Sequence, residues 1–363
     1  MTALTVPRPP RIVIAAGGTA GHVVPAIAIA DALRAEGAEV SFVGGERAEA
    51  ELVPAAGYPF DAIRVEGISR SNPLKAARAV VRAAASLGAA GRLLEGARAD
   101  AVLGGGGYVA GPVGLAAVRR GIPIVLAEAD SHLGLTNRLL ARRARRVCLA
   151  FPIEGRDGDR YRVTGRPVPP QIDDRAAARA ELGIAPDATC VLVFGGSLGA
   201  RSVNQAAIEG LAGASYTVLH VSGRRDHDEL APRAQALGAR YVLRDYVTPF
   251  GLALAAADLA VARSGGSVFE LAQYGLPAVL VPYPHASGDH QTGNARWMER
   301  AGAAVVIGDE KLTPERLRAA VDAIAEDAPR RARMAAAARG LARPDAARDI
   351  AGEVLAAAAL RAR

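Results

Sequence analysis

A short apolar strand that runs directly into a glycine turn and a helix occurs twice in this chain, and no other feature restricts its fold as strongly. Residues 11–16 are apolar after Arg11, continue into Gly17-Gly18-Thr19-Ala20-Gly21-His22, and give way to helical periodicity over 23–36. The same grammar returns at Cys190-Val191-Leu192-Val193-Phe194, followed by Gly195-Gly196-Ser197-Leu198-Gly199-Ala200 and a helix to about residue 210. Further short apolar runs at 40–43, 101–103, 124–127 and 146–149, and then at 216–221, 241–243, 259–262, 278–281 and 303–307, alternate with helical stretches. Strand alternating with helix predicts an α/β chain of two Rossmann-like, doubly wound parallel-sheet domains. The length of 363 residues exceeds the usual single core. The expected division is 8–166, 167–342 and a final Ala-rich helix over 343–363, with Pro167, Pro169 and Pro170 at the junction because proline continues neither a helix nor a central strand. Two such domains facing one another would place the carboxyl ends of both sheets on a shared cleft, where open α/β sheets bind ligands.

Composition removes several classes. The two cysteines, Cys148 and Cys190, end apolar runs without metal-ligand spacing, which predicts buried free thiols in a reducing compartment. No apolar run reaches membrane-spanning length, so a soluble or peripheral protein is expected. A net charge of +7 suits an anionic partner: a phosphate-bearing substrate, an acidic membrane surface or nucleic acid. Aromatic residues at 4% argue against the stacking platforms of single-strand nucleic-acid binders.

A glycine turn that opens a helix lets backbone N–H groups approach a phosphate. Neither turn has the G-x-G-x-x-G spacing of dinucleotide enzymes, and there is no Gly-Lys-Ser/Thr of a P-loop, so nicotinamide and Walker readings lose support. His22 follows the first turn at the helix start, where an imidazole suits a general base or an acceptor-hydroxyl contact. Gly104-Gly105-Gly106-Gly107-Tyr108 is another turn at a strand end, with Tyr108 a candidate substrate contact. The densest constellation is Arg263-Ser264-Gly265-Gly266-Ser267-Val268-Phe269-Glu270, followed by Pro282-Tyr283-Pro284-His285 and by Asp289-His290-Gln291-Thr292-Gly293-Asn294. Its hydroxyls and amides suit phosphate, Glu270 suits ribose hydroxyls, and Gln291 with Asn294 suits sugar hydroxyls. His285, Asp289 and His290 share one proline-rich loop without helical H-x-x-x-H spacing, so no metal is expected. Leu74, Lys75, Arg78, Val81 and Arg82, then Arg138 and Arg142, mix apolar and basic residues at helical spacing, as a face on an anionic membrane would; solvated basic helices are the alternative.

Taken in order, Gly17-Gly18-Thr19-Ala20-Gly21-His22 with Pro25, Gly106-Gly107-Tyr108-Val109-Ala110-Gly111-Pro112, Gly195-Gly196-Ser197 with Gly199-Ala200, and His290-Gln291 with Asn294-Ala295 carry a resemblance. The sequence resembles the MurG family of peptidoglycan N-acetylglucosaminyltransferases over nearly its whole length. The resemblance implies a GT-B fold and an inverting, metal-independent transfer of GlcNAc from UDP-GlcNAc, a substrate rather than a cofactor, to the MurNAc 4-hydroxyl of undecaprenyl-pyrophosphoryl-MurNAc-pentapeptide. It implies that the first domain receives the polyprenyl-pyrophosphate acceptor at the cytoplasmic face of the plasma membrane, that the second holds most of the donor, and that the last helix crosses back onto the first. Carried over by position, donor contacts fall on Thr19, Ala20, Gly21, Ser197, Val247, Ser264, Gly265, Gly266, Ser267, Val268, Phe269, Glu270 and Gln291, and the candidate base is His22.

The chain departs from the family pattern at several of these places. Ala20 replaces the second glycine of G-G-T-G-G-H, Leu198 replaces a glutamine, and E-Q-N reads Glu128-Ala129-Asp130, which makes Asp130 a second candidate base and donor contact. G-N-P-V-R reads Gly165-Arg166-Pro167-Val168-Pro169, so Arg166 stands in for the missing family arginine from another position. The rival readings are a GT-B enzyme acting on diacylglycerol or a small molecule, and a non-catalytic nucleic-acid module; no nucleic-acid partner is expected.

Overall fold

The computed structural model describes residues 8–18, 20–64, 73–196 and 199–361, with the side chains of Ala20, residues 73–84 and Ser287 not described. The chain divides into two compact units, Met1–Val168 with Arg343–Arg363, and Pro169–Ala342. Among the described residues the first unit holds β1 (Arg11–Ala15), β2 (Glu39–Gly44), β3 (Phe60–Ala62), β4 (Ala101–Gly104), β5 (Ile124–Glu128), β6 (Arg146–Leu149) and β7 (Tyr161–Val163). They form one parallel sheet in the order β3-β2-β1-β4-β5-β6-β7. The second unit holds β8 (Cys190–Phe194), β9 (Thr217–Val221), β10 (Tyr241–Arg244), β11 (Leu259–Ala262), β12 (Ala278–Leu280) and β13 (Ala304–Val306), ordered β10-β9-β8-β11-β12-β13. Both expected Rossmann-like sheets are present, all parallel.

The central strands form because every side chain finds an apolar layer. Cys190 to Phe194 are all buried, and Leu192 lies level with Leu219 of β9 on one side and Ala260 of β11 on the other. In the first unit Ile12 lies level with Val40 of β2 and Ala101 of β4. Two apolar layers sandwich that sheet. One includes Ala90, Leu94, Val113 and Ala117; the other is made by the helix Ala20–Ala35 and by Ile350, Val354 and Ala358 of the last helix, Ala346–Arg361. Glu353 of that helix fastens it further, ion-paired to Arg146 at 2.8 Å and Arg162 at 2.7 Å. Both cysteines are free and buried, and burial pushes each thiol up to about 12.

The strand order fixes where chemistry can sit. β1 has its sequence successor β2 on one side and β4 on the other, and β8 stands in the same way between β9 and β11. The helices after β1 and β4, and after β8 and β11, leave from this reversal to opposite sides, opening a crevice at the strands' carboxyl ends. The four motif segments, residues 17–22, 105–108, 195–200 and 263–267, follow these four strands.

Candidate functional site

In the first unit the site is built around two carboxylates. Glu49, on the first turn of the helix Ala48–Ala55, is fully buried and reaches back to the end of β1. It accepts from the backbone N–H of Gly18 and of Gly45, each at 2.9 Å, and from the Tyr108 hydroxyl at 3.2 Å. Burial pushes its pKa up, but the N–H groups of Gly18, Glu49 and Gly45 and the Tyr108 hydroxyl outweigh burial and hold it below the ordinary carboxylate value. The Arg47 guanidinium covers the Tyr108 ring 5.1 Å from its centroid. The half-buried His22 stands over Gly106, where a Cβ would come within 2.7 Å of the imidazole Cδ2; the φ of +98° at Gly106 is a second reason for glycine there. Gly21 is exposed beside it, and its carbonyl accepts from the Arg166 guanidinium at 2.6 Å.

The second carboxylate, Glu128, closes β5. It accepts from the N–H of Asp130 at 3.1 Å and of Gly134 at 2.8 Å, and from the Asn137 amide at 2.9 Å, so the loop carrying the half-buried Asp130 is wound about it. Burial raises the Glu128 pKa, with Asn137, Gly134 and Asp130 N–H groups opposing.

In the second unit the turn after β8 is pinned from below. Gly199 has φ +76°, and a Cβ there would overlap the Ser222 carbonyl oxygen at the end of β9. Asn204, buried on the helix Arg201–Gly210, donates to that same carbonyl at 2.9 Å and to Asp226 at 2.9 Å. Its Oδ1 meets His220 Nε2 at 3.0 Å, and His220 Nδ1 meets the Tyr241 hydroxyl at 2.9 Å. Burial drives the His220 pKa down to about 3, against a smaller opposing pull from Asp226, so the ring is neutral at neutral pH.

The turn after β11 is equally constrained. Arg263 is ion-paired to Asp309 at 2.7 Å, donates to the carbonyls of Val281 and Pro282, and reaches Ser202 at 2.8 Å, tying the ends of β11 and β12 to the helix after β8. Ser264 is buried and donates to the Gln291 carbonyl at 2.8 Å, while Ser267 opens the helix Ser267–Tyr274 and donates to the Arg263 carbonyl at 3.2 Å. Glu270 lies in that helix's first turn, where a carboxylate is favoured by the helix dipole. Val268 and Phe269 point into the core, so only their backbone faces the turn. Gln291 accepts from Tyr283 N–H at 3.0 Å, and its amide nitrogen faces Gly265, 3.7 Å from where a Cβ would stand. Asn294 is buried, donating to the Ser264 carbonyl at 3.0 Å with its Oδ1 unpartnered, so its amide supports the turn from within. Val247 is buried just beyond β10.

The structure thus brings His22, Tyr108, Arg166 and Asp130 to the carboxyl end of one sheet, and Gly265, Gly266, Ser267, Glu270 and Gln291 to that of the other. Thr19, Ser197 and Leu198 lie outside the described residues, as do the side chains of Ala20, Leu74, Lys75, Arg78, Val81 and Arg82. Arg138 and Arg142 are exposed on the segment after β5, beside Leu135 and Leu139, which are 48% and 70% exposed. Sequence reasoning missed Glu49, Asn204 and His220; the one local signal was a histidine inside the short strand Thr-Val-Leu-His-Val of β9, and it does not say what the ring would meet. Among the described residues no cluster of three metal-ligating side chains occurs, and no helix is long and apolar enough to cross a membrane.

Comparison with known proteins agrees with this layout. Residues 12–149 match the glycosyltransferase family 28 N-terminal domain and residues 190–350 its C-terminal domain. The UDP-N-acetylglucosamine–N-acetylmuramyl-(pentapeptide) pyrophosphoryl-undecaprenol N-acetylglucosamine transferase of Moorella thermoacetica is 42% identical over 93% of this chain and 96% of its own. The enzyme of that name from Salinibacter ruber is 42% identical over 97% and 98%. Acinetobacter baumannii MurG superposes with a TM-score of 0.80 at 30% identity, covering 96% of this chain and all of the other. A calicheamicin glycosyltransferase, at TM-score 0.67 and 20% identity, shares the fold. With two glycine-turn sheets of GT-B type and relatives this similar over their whole length, the chain belongs to glycosyltransferase family 28 and, within it, to the MurG family.

Proposed function

We propose that this protein moves GlcNAc from UDP-GlcNAc to the 4-hydroxyl of lipid-linked MurNAc-pentapeptide, converting lipid I to lipid II with inversion at the anomeric carbon and without a metal. The observation that carries this reading is the 42% identity to transferases of that name across nearly the full length of both chains. The residues divide the work. On the first unit, His22 takes the proton of the attacking hydroxyl, with Tyr108 beside the acceptor and Asp130 as the alternative base. On the second unit, the turn at 195–200 and the segment 264–267 offer N–H groups and hydroxyls to the diphosphate, where negative charge develops as UDP leaves. Glu270 accepts from the ribose, Gln291 contacts the sugar, and the Val247 backbone reads the base. Thr19, Ala20, Gly21 and Arg166 complete the donor contacts from the first unit.

Membrane attachment is part of the proposal. Leu115 on the helix Ala110–Arg119 is 41% exposed, and the segment after β5 exposes Leu135 and Leu139 together with Arg138, Arg142 and Arg143. Such a surface suits a peripheral protein on an anionic leaflet, at the cytoplasmic face where a UDP-sugar is available. Transfer of labelled GlcNAc to a short-chain lipid I analogue in detergent with EDTA tests the function. EDTA-resistant turnover is expected; no turnover with that pair, and turnover with UDP-glucose or with diacylglycerol, would move the specificity elsewhere.

A further inference from the structure

We propose that Glu49 is a positioning residue of the transfer reaction, a buried carboxylate that holds both the turn bearing His22 and the loop beneath the His22 ring; this rests on the acceptor-side role given to His22 above. Three separate segments end on its two oxygens. Oε2 takes the N–H of Gly18, in the turn that leads to His22, and Oε1 takes the N–H of Gly45, after β2, and the hydroxyl of Tyr108, after β4. The His22 ring in turn rests against Gly106, two residues before Tyr108. One side chain therefore anchors both the start of the turn that leads to the imidazole and, through Tyr108, the loop that the ring packs against.

Glycines make the room that carboxylate occupies. A Cβ on Gly17 would meet Oε1 at 2.7 Å, one on Gly44 would meet the Glu49 Cγ at 2.7 Å, and one on Gly45 would overlap the Tyr108 hydroxyl. Glycine at 17, 44 and 45 is thus a requirement of the Glu49 seat as much as of the turns. Gly107, at φ +79°, lies so close to the Gly17 carbonyl that a Cβ would overlap it, which brings the first and third of these segments into direct contact. The arrangement also separates the two halves of the chain chemically. At Gly18 the N–H that a phosphate would take in a Rossmann turn is already given to an internal anion, whereas in the second unit, among the described residues, no carboxylate meets the N–H groups of Gly195 or Gly196, and the Gly199 N–H is given to the Gly196 carbonyl at 2.9 Å.

Glu49→Gln keeps the shape but replaces one acceptor oxygen by an N–H₂ facing donors, so one of the two backbone anchors is lost. Steady-state kinetics with UDP-GlcNAc and a lipid I analogue, on protein whose melting curve shows it folded at the assay temperature, should give kcat at least tenfold lower with KM for UDP-GlcNAc within twofold. Gly45→Ala is the second variant. It keeps both side chains in the sequence, but its Cβ would overlap the Tyr108 hydroxyl and come within 2.9 Å of Glu49 Oε1, so that it displaces the contact between them, and it should lower kcat severalfold, again without raising donor KM. A purely stabilising Glu49 would lower the melting temperature and leave kcat of the folded protein unchanged, and that result, or a donor KM raised in proportion to the loss, overturns the proposal. His22→Ala runs alongside. If His22→Ala is inactive while Glu49→Gln and Gly45→Ala turn over normally, the proposal fails and the role of His22 stands; if His22→Ala itself turns over normally, the role of His22 fails, and the proposal with it.

Discussion

Gly199→Ala tests how strictly the second glycine turn is held. At φ +76° an alanine costs about 1–2 kcal/mol in the left-handed region before any contact is counted. Its Cβ would also overlap the Ser222 carbonyl oxygen and lie 3.3 Å from the Asn204 amide nitrogen. The carbonyl cannot swing aside, because it accepts from Asn204 at 2.9 Å while Ser222 N–H is bonded to the Arg244 carbonyl at 3.0 Å. The turn itself must move, by an amount comparable to a hydrogen-bond tolerance. If its N–H groups hold the donor diphosphate, each misaligned bond to a charged oxygen loses roughly 1.5–3 kcal/mol, so the Kd for UDP should rise about 10- to 100-fold. The same strain should lower Tm by about 5 °C for a unit of this size. Isothermal titration with UDP and a thermal melt read both. Gly213→Ala is the control: its φ is +64° with nothing within 4 Å of a Cβ, so it carries the conformational cost and leaves UDP affinity unchanged. UDP affinity within twofold of the parent in Gly199→Ala would refute the reasoning, since it would mean that the turn either relaxes freely or does not touch the donor.

His22→Ala should lower kcat by roughly 10²- to 10⁴-fold with donor KM little changed, as loss of a general base does; a parallel rise in donor KM would reassign the residue to binding. His220 is held neutral in the fold at a pKa of about 3, below its unfolded value, so the stability this provides is present above that unfolded value and is lost as pH falls from about 6.5 towards 3. Urea unfolding across that window should show a slope of up to about 1.4 kcal/mol per pH unit that a His220→Gln variant lacks. Leu139→Glu, at a side chain 70% exposed among arginines, should weaken sedimentation with phosphatidylglycerol vesicles while turnover in detergent persists, and unchanged sedimentation would place the membrane face elsewhere.

Much of this was legible in the sequence because the signals are local. A run such as Cys190-Val191-Leu192-Val193-Phe194 has no polar face to offer, so burial on both sides and a parallel neighbour follow from the string alone, as does the glycine turn that must connect it to a helix. The order of four motifs was sufficient to indicate the family; the apolar layer that Ile350, Val354 and Ala358 of the last helix complete on the first sheet is seen only in the structure. β3 and β7, with three residues each, were not legible: Phe-Asp-Ala and Tyr-Arg-Val carry no period, and only the edges of β2 and β6 make strands of them. The support of the site lay equally beyond reach. Nothing in Ala48-Glu49-Ala50 states that this acid turns inward to gather Gly18, Gly45 and Tyr108, three segments spaced along 91 residues, nor that His220 closes a chain from Tyr241 to Asn204 beneath Gly199. Which residues line the turns was written in the sequence, because turn chemistry is set by neighbours along the chain. Which residues hold those turns still was decided only by the tertiary structure, because a buried polar group takes whatever partner the packing of distant segments brings within hydrogen-bond reach.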